Sequence, residues 1–317
     1  MKRSFRDTLM LILFIGIQAT FAQAVWNGTA DIDWYNESDS EFTITTAEQL
    51  AGLAMLVNYG HSFRGKTIKL ERNIALNNTT NWKNWASKPP IRIWIPIGDD
   101  NRSFSGSFDG NGHVISGIYI NNSDFYQGLF GRVSSSGEIK NLGITASYVK
   151  GKSGVGLLAG YNFGTIDNCY SSGVVRTFST GNLRFESWVG GLVGYNSLGG
   201  NISNSYSTSV VSGDELVGGL VGENNSGKIS NCYSIGIVTG KEDFGGLVGK
   251  NFDDDDISNS YYDKQTSKQR DEGKGEGKTT AQLKQKNTFE DWDFVNIWGI
   301  KSTINNGYPY LLENKGK

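Results

Sequence analysis

The side chains that recur at fixed spacing decide what chemistry this chain could perform. Glycan cleavage needs paired carboxylates, or a base beside a cation, on one face of a fold. No such pair repeats here: the position after each recurring Gly-Leu phrase holds Arg132, Tyr161, Tyr195, Glu223 and Lys250, a mixed row expected to face solvent. Zinc hydrolysis needs a histidine cluster, and the two histidines, His61 and His113, are far apart with no His-Glu-x-x-His run. Asp253, Asp254, Asp255 and Asp256 offer oxygen ligands of the kind calcium takes. Consecutive carboxylates cannot all face one ion, so they are expected to form a solvated loop. Neither a catalytic residue, nor a metal, nor a cofactor is expected. Recognition chemistry remains. From Asn168 to Leu192 is 24 residues, whereas Asn204 to Leu220 and Asn231 to Leu247 are 16 each, so one unit carries an insertion holding Arg184, Phe185 and Trp188. Aromatic and arginine side chains are frequent anchors of binding, and Tyr161 and Tyr195 could add stackable rings beside them. The bland alternative is that Phe185 and Trp188 fold down as packing.

The elements that must position these residues are repeats. Gly128-Leu129-Phe130-Gly131, Leu157-Leu158-Ala159-Gly160, Gly191-Leu192-Val193-Gly194, Gly219-Leu220-Val221-Gly222 and Gly246-Leu247-Val248-Gly249 place their anchoring leucines 29, 34, 28 and 27 residues apart. A second phrase, Ile-x-Asn, follows inside each unit at Asn141, Asn168, Asn204, Asn231 and Asn259, with Tyr170, Tyr206, Tyr233 and Tyr261 two places after the last four. Each unit therefore offers about three short strand-like runs broken by Gly, Asn and Ser, with no helical period. A propeller blade takes roughly 40 residues or more, and the leucine-rich pattern is absent. The spacing predicts an all-β, right-handed parallel β-solenoid with coils of roughly 27–34 residues, the leucines stacked inward, and small caps at both ends. Asparagine tolerates left-handed turns, and its amide both donates and accepts. Asn141, Asn168, Asn204, Asn231 and Asn259, and separately Asn162, Asn196, Asn224 and Asn251, are therefore expected to form side-chain ladders along the axis.

Composition agrees with an extracellular all-β protein. Glycine supplies 42 of 317 residues without a collagen period, and proline only 4, as ladders require. Thirty basic against 32 acidic residues give no case for nucleic acid. Lys2, Arg3 and Arg6 precede the apolar run 9–17, and Ala22-Gln23-Ala24 supplies a cleavage site, so 1–24 is read as a signal peptide. That run is too short to span a bilayer, and no later transmembrane segment is expected. The remaining division is an N-terminal cap and first coil over 25–97, repeats over 98–262, and a C-terminal loop and cap over 263–317. Capping-box sequences Thr45-Thr46-Ala47-Glu48 and Thr279-Thr280-Ala281-Gln282 flank the repeats. Residues 289–312 are expected to close the far end, and 264–278 to be a mobile loop. Cys169 and Cys232 share a repeat position two coils apart, too far for a bridge, and are expected as free thiols.

The Gly-Leu-hydrophobic-Gly phrase and its Ile-x-Asn-x-Tyr follow-on resemble the GLUG repeat of bacterial cell-surface and secreted proteins. The flanking Phe108-Asp109-Gly110-Asn111-Gly112-His113 and Asn306-Gly307-Tyr308-Pro309-Tyr310 are similar to what borders that repeat. GLUG repeats also occur in IgA-specific metallopeptidases, whose activity the absent zinc motif withholds from this chain. The resemblance implies a secreted, periplasmic or cell-surface, non-catalytic, adhesin-like module binding an extracellular glycan or a host or surface protein. The alternatives are a polysaccharide-active β-helix enzyme, lyase or hydrolase, and a purely structural spacer. An aligned pair of clefted carboxylates would favour the enzyme, and a featureless outer face the spacer.

Overall fold

Each coil is assembled from segments too short to be stable alone, so each draws its backbone partners from the coils before and after it. The computed structural model describes residues 24–178, 187–197, 199–253, 256–270 and 274–313, which leaves the expected leader outside up to residue 23. Four walls of parallel strands run along the solenoid, one more than the three strand runs read from each unit. The extra wall forms because the residues just before each Gly-Leu phrase also pair.

The isoleucine wall has eight strands, from Glu41–Ile44 to Ile257–Ser258, giving about eight turns. Its register stacks Ile68, Phe108, Ile139, Ile166, Ile202, Ile229 and Ile257 in one column. The tyrosine wall has eleven strands. A five-stranded clasp wall consists of Phe125–Gln127, Ser153–Val155, Val189–Gly190, Glu215–Gly218 and Glu242–Gly245, and a five-stranded row wall of Phe130–Val133, Ala159–Asn162, Val193–Asn196, Val221–Asn224 and Val248–Asn251. The Gly-Leu phrase is the corner between these last two. A Cβ at Gly222 would lie 2.4 Å from the Val189 nitrogen, so only glycine lets the two walls approach, and one at Gly191 would lie 2.2 Å from the Gly219 carbonyl, so only glycine lets successive corners stack. The leucine between the glycines points inward, and Leu129, Leu158, Leu192, Leu220 and Leu247 are all fully buried.

The two asparagine columns do different work. Asn196 Nδ2 donates to Asn224 Oδ1, Asn224 Nδ2 to Asn251 Oδ1, and Asn162 Nδ2 to Asn196 Oδ1, each at 2.8 Å, a continuous buried ladder. In the other column Asn141, Asn168, Asn204, Asn231 and Asn259 have φ between 43° and 56°, so the residue type is set by a left-handed turn. Side-chain contact there is interrupted: Asn168 donates to Asn141 at 2.8 Å and Asn231 to Asn204 at 3.4 Å, but Asn204 donates to Asp167 at 2.9 Å.

Helix α1 (Ala47–Asn58) covers the first coils with Leu50, Leu53, Ala54 and Val57, which join the core containing Ile44, Leu70 and Trp94. Its capping box sits one residue later than the sequence suggested. Thr46 accepts from the Gln49 backbone, and Gln49 Oε1 accepts from the Thr45 nitrogen at 2.8 Å. At the other end the structure departs from expectation. The segment after residue 279 lies on the outer face of the tyrosine wall instead of across the last coil. Tyr170, Tyr206 and Tyr233 stack there at 5.1 and 4.9 Å between rings, and Phe289, Trp292, Trp298 and Leu311 pack over them. A stack of outward tyrosines is a larger apolar surface than the end of a coil, which explains where the aromatic segment goes. The last coil is covered instead by Tyr262, in the main core, and by Gly275, which sits against Leu247. Much of 264–278 is accordingly ordered, as a short helix α2 (Lys264–Ser267) and a strand Glu276–Lys278. Cys169 and Cys232 are buried and free. Burial pushes both thiols up, Cys232 to about 12.

Candidate functional site

The row expected to face solvent is instead half covered. Register puts Arg132, Tyr161, Tyr195, Glu223 and Lys250 in one line on the row wall, yet Tyr195 is 7 % and Glu223 4 % exposed. The cover comes from the neighbouring clasp wall. Its pairing places Tyr126, Gly154, Trp188, Leu216 and Asp243 in a second line, beside the first. Tyr126, Gly154, Leu216 and Asp243 have φ of 56°, 67°, 53° and 46°, a left-handed kink that interrupts strand alternation at this line. Asp243 reaches Lys250 at 3.9 Å, and the Arg132 guanidinium lies 5.3 Å from the Tyr126 ring centre.

The first three coils turn this double line into an aromatic strip. Tyr161 stacks on Phe163 and packs against Tyr195, both at 4.5 Å between ring centres, and Tyr126 meets Tyr161 edge-on at 5.4 Å. Trp188 lies 4.5 Å from Tyr195 and edge-on to Tyr161 at 6.4 Å. Arg132 is surrounded by Tyr126, Tyr161 and Phe163 at 5.1–5.5 Å. Asn225 Nδ2 donates to the Tyr195 hydroxyl at 2.8 Å, while burial pushes that hydroxyl up to about 12, so it stays neutral. Tyr126, Tyr161, Phe163 and Trp188 remain half exposed. Trp188 Nε1 is buried with no hydrogen-bond partner among the described residues.

Trp188, Tyr161 and Tyr195, named from the sequence, are thus brought together. Arg184 and Phe185 lie outside the described residues. Sequence reasoning missed Tyr126 and Phe163 and the cleft into which the strip opens. That cleft, about 630 Å³, lies between residues 93–101 and 122–127. Tyr126 and Phe125 line one side, and Asn58, Asp99, Asp100 and Asp124 supply polar edges. Asn58 is fixed there because its Oδ1 accepts from Gly98 at 2.8 Å and its Nδ2 donates to Pro96 at 3.0 Å. Aromatic faces next to convergent carboxylates and amides can hold a ligand that is apolar on its faces and hydroxylated at its edges. Among the described residues no group of three or more His, Cys, Asp or Glu side chains is placed to hold a metal ion.

Fold and surface together define a parallel β-solenoid with an aromatic outer strip. Residues 151–176, 189–212 and 213–239 match the GLUG motif, so the chain carries GLUG repeats; the first of these holds Tyr161 and Phe163 of the strip and the second Tyr195. A protein of Evansella cellulosilytica provisionally named a Gly-rich membrane protein is 36 % identical over 152 residues, 46 % of this chain and 14 % of its own length. Halomucin of Haloquadratum walsbyi is 31 % identical over 182 residues, 56 % of this chain and 2 % of its own length. The chain therefore spans only a small part of both relatives. A crystal structure from Bacteroides ovatus, of a protein provisionally assigned as an immunoglobulin A1 protease, superposes with a TM-score of 0.63 at 20 % identity, over 86 % of this chain and 92 % of that one. At that identity the likeness is one of fold. No described helix is long and apolar enough to cross a membrane.

Proposed function

We propose that this solenoid is a non-catalytic, surface-exposed module that binds a saccharide chain along the strip formed by Tyr126, Tyr161, Phe163 and Trp188. The observation that carries the reading is the strip itself: half-exposed rings on consecutive coils, held by Arg132 and Tyr195 beneath, and leading into a polar cleft. Sugar rings present C–H faces that pack on aromatic faces, and their hydroxyls bond to carboxylates and amides of the kind that line the cleft. Coils about 4.8 Å apart repeat the contact along the axis, which suits a polymer. Relatives named for a membrane protein and for halomucin are compatible with a location outside the cell, after removal of a leader.

A screen of immobilised neutral glycans against the full chain tests this. Wild type should be retained by at least one glycan, and Tyr161→Ala and Trp188→Ala should each weaken retention by about tenfold or more, the loss of a central anchor. Retention by none, or equal retention of both variants, refutes the assignment.

A further inference from the structure

A second cleft, about 790 Å³, opens at the other end of the molecule, beside the last strand of the tyrosine wall. Lys264, Lys268 and Arg270 line it, with Gln265, Thr279, the Gly277 backbone and the edge of Tyr262, and among the described residues no carboxylate does. None of the three makes an ion pair among the described residues. The carboxylate at the head of α2, Asp263, is fully buried. It is consumed as the cap of α2, accepting from Gln265 and Thr266, and it also accepts from Thr280 and Tyr308. Glu276 is paired with Lys278.

The cations stand side by side against their own repulsion. Lys264 and Lys268 are four residues apart across one helical turn, where like charges disfavour each other. Lys268 also takes a left-handed φ of 64°, which disfavours a non-glycine residue. An oxyanion between them would relieve the repulsion. Backbone donors are also available. Glu276 N–H bonds back to Ser260 O, so the next residue, Gly277, turns its N–H to the open edge of the strand. The volume matches a ligand of several rings more than a lone inorganic anion. The one ring in the lining, Tyr262, is 1 % exposed, so the cleft lacks the stacking platform that single-stranded nucleic acid uses.

We propose that this cleft binds an acidic polysaccharide through its sulfate or carboxylate groups, with Lys264, Lys268 and Arg270 as the cationic contacts. The site is on a different wall from the aromatic strip and stands or falls without it.

The test uses the full chain and dextran sulfate as probe, with uncharged dextran, polygalacturonate, sodium sulfate and a single-stranded oligonucleotide as comparison arms. Dextran sulfate or polygalacturonate should bind, uncharged dextran should not compete, and affinity should fall about tenfold as salt rises from about 50 to 300 mM, as screening of several exposed charges requires. Lys264→Glu should cost about tenfold or more, whereas Lys88→Glu, an equal charge change at the far end, should change affinity less than about twofold. An unchanged melting temperature for Lys264→Glu keeps the comparison one of binding, and Arg270→Ala repeats it should that variant melt early. Equal losses from Lys264→Glu and Lys88→Glu, oligonucleotide binding as tight as polysaccharide, or binding of free sulfate alone would each overturn the proposal.

Discussion

Replacing Asn224 by alanine probes the buried ladder where its bonds are densest. Asn224 is fully buried and makes three side-chain bonds: it accepts from Asn196 at 2.8 Å and donates to Asn251 at 2.8 Å and to the Gly227 carbonyl at 2.7 Å. The partners are affected unequally. Asn196 Nδ2 keeps the Gly200 carbonyl at 3.3 Å, and half-buried Asn251 can turn to water. Gly227 is buried, and its carbonyl loses its side-chain donor. Stranding that one group costs about 1–3 kcal/mol and weakening the other two about 1 kcal/mol each, so Asn224→Ala should destabilise by about 3–5 kcal/mol. Urea unfolding followed by circular dichroism reads this as a lower midpoint at unchanged slope, the sign that the same unit still unfolds. Asn224→Asp sharpens the test. It keeps the volume but aims a carboxylate at two oxygens, which raises the pKa of the new group in the folded state. Its damage should therefore be greatest at neutral pH and lessen as pH falls and the carboxyl protonates. An Asn224→Ala protein within about 0.5 kcal/mol of wild type, or an Asn224→Asp protein indifferent to pH, would refute the claim that this ladder holds the coils together.

Leu220→Ala, at the fully buried inward corner, should cost about 2–5 kcal/mol, whereas Lys250→Ala, whose partner Asp243 is 3.9 Å away and half exposed, should cost less than about 1 kcal/mol; comparable losses would invert the inward and outward assignment. Burial raises Tyr206 and Tyr233 well above the ordinary value of 10.0 and Tyr170 to about 12, so the folded state keeps protons that the unfolded chain releases. The stability these tyrosines contribute is complete below pH 10 and is lost as pH rises from 10.0 toward 12, so melting temperature should fall steeply across that window; a flat alkaline profile would contradict the buried stack. Cys169 and Cys232 are buried with raised thiols, so thiol titration without reductant should count none in the native protein and two after denaturation. A count of none in denatured monomer would break the register.

The fold was legible wherever residue type answers to a single local demand. The anchoring leucines fill one inward slot per coil, and the Ile-x-Asn turns need one left-handed residue, so both phrases carry the period unaided. The fourth wall was not legible because Tyr126, Gly154, Leu216 and Asp243 share a backbone kink and no chemistry. For the same reason the row beside them looked solvent-facing when Tyr195 and Glu223 are covered. Tyr126 was missed for a matter of spacing. It stands three residues before its anchoring leucine, where the later coils place the equivalent residue four before, so alignment by period alone skips it. The C-terminal aromatics announced a packing role, but which surface they cover depends on the tyrosines of four coils lining up, a consequence of stacking that no single unit displays.

The most direct test of the account is a crystal structure of the full chain with an oligosaccharide drawn from the retained glycans. The account predicts sugar rings lying over the exposed faces of Tyr126, Tyr161 and Trp188, with hydroxyls directed at Asp99, Asp100 or Asp124 in the adjoining cleft. Sugar bound on any other wall, with those three rings left bare, would contradict it.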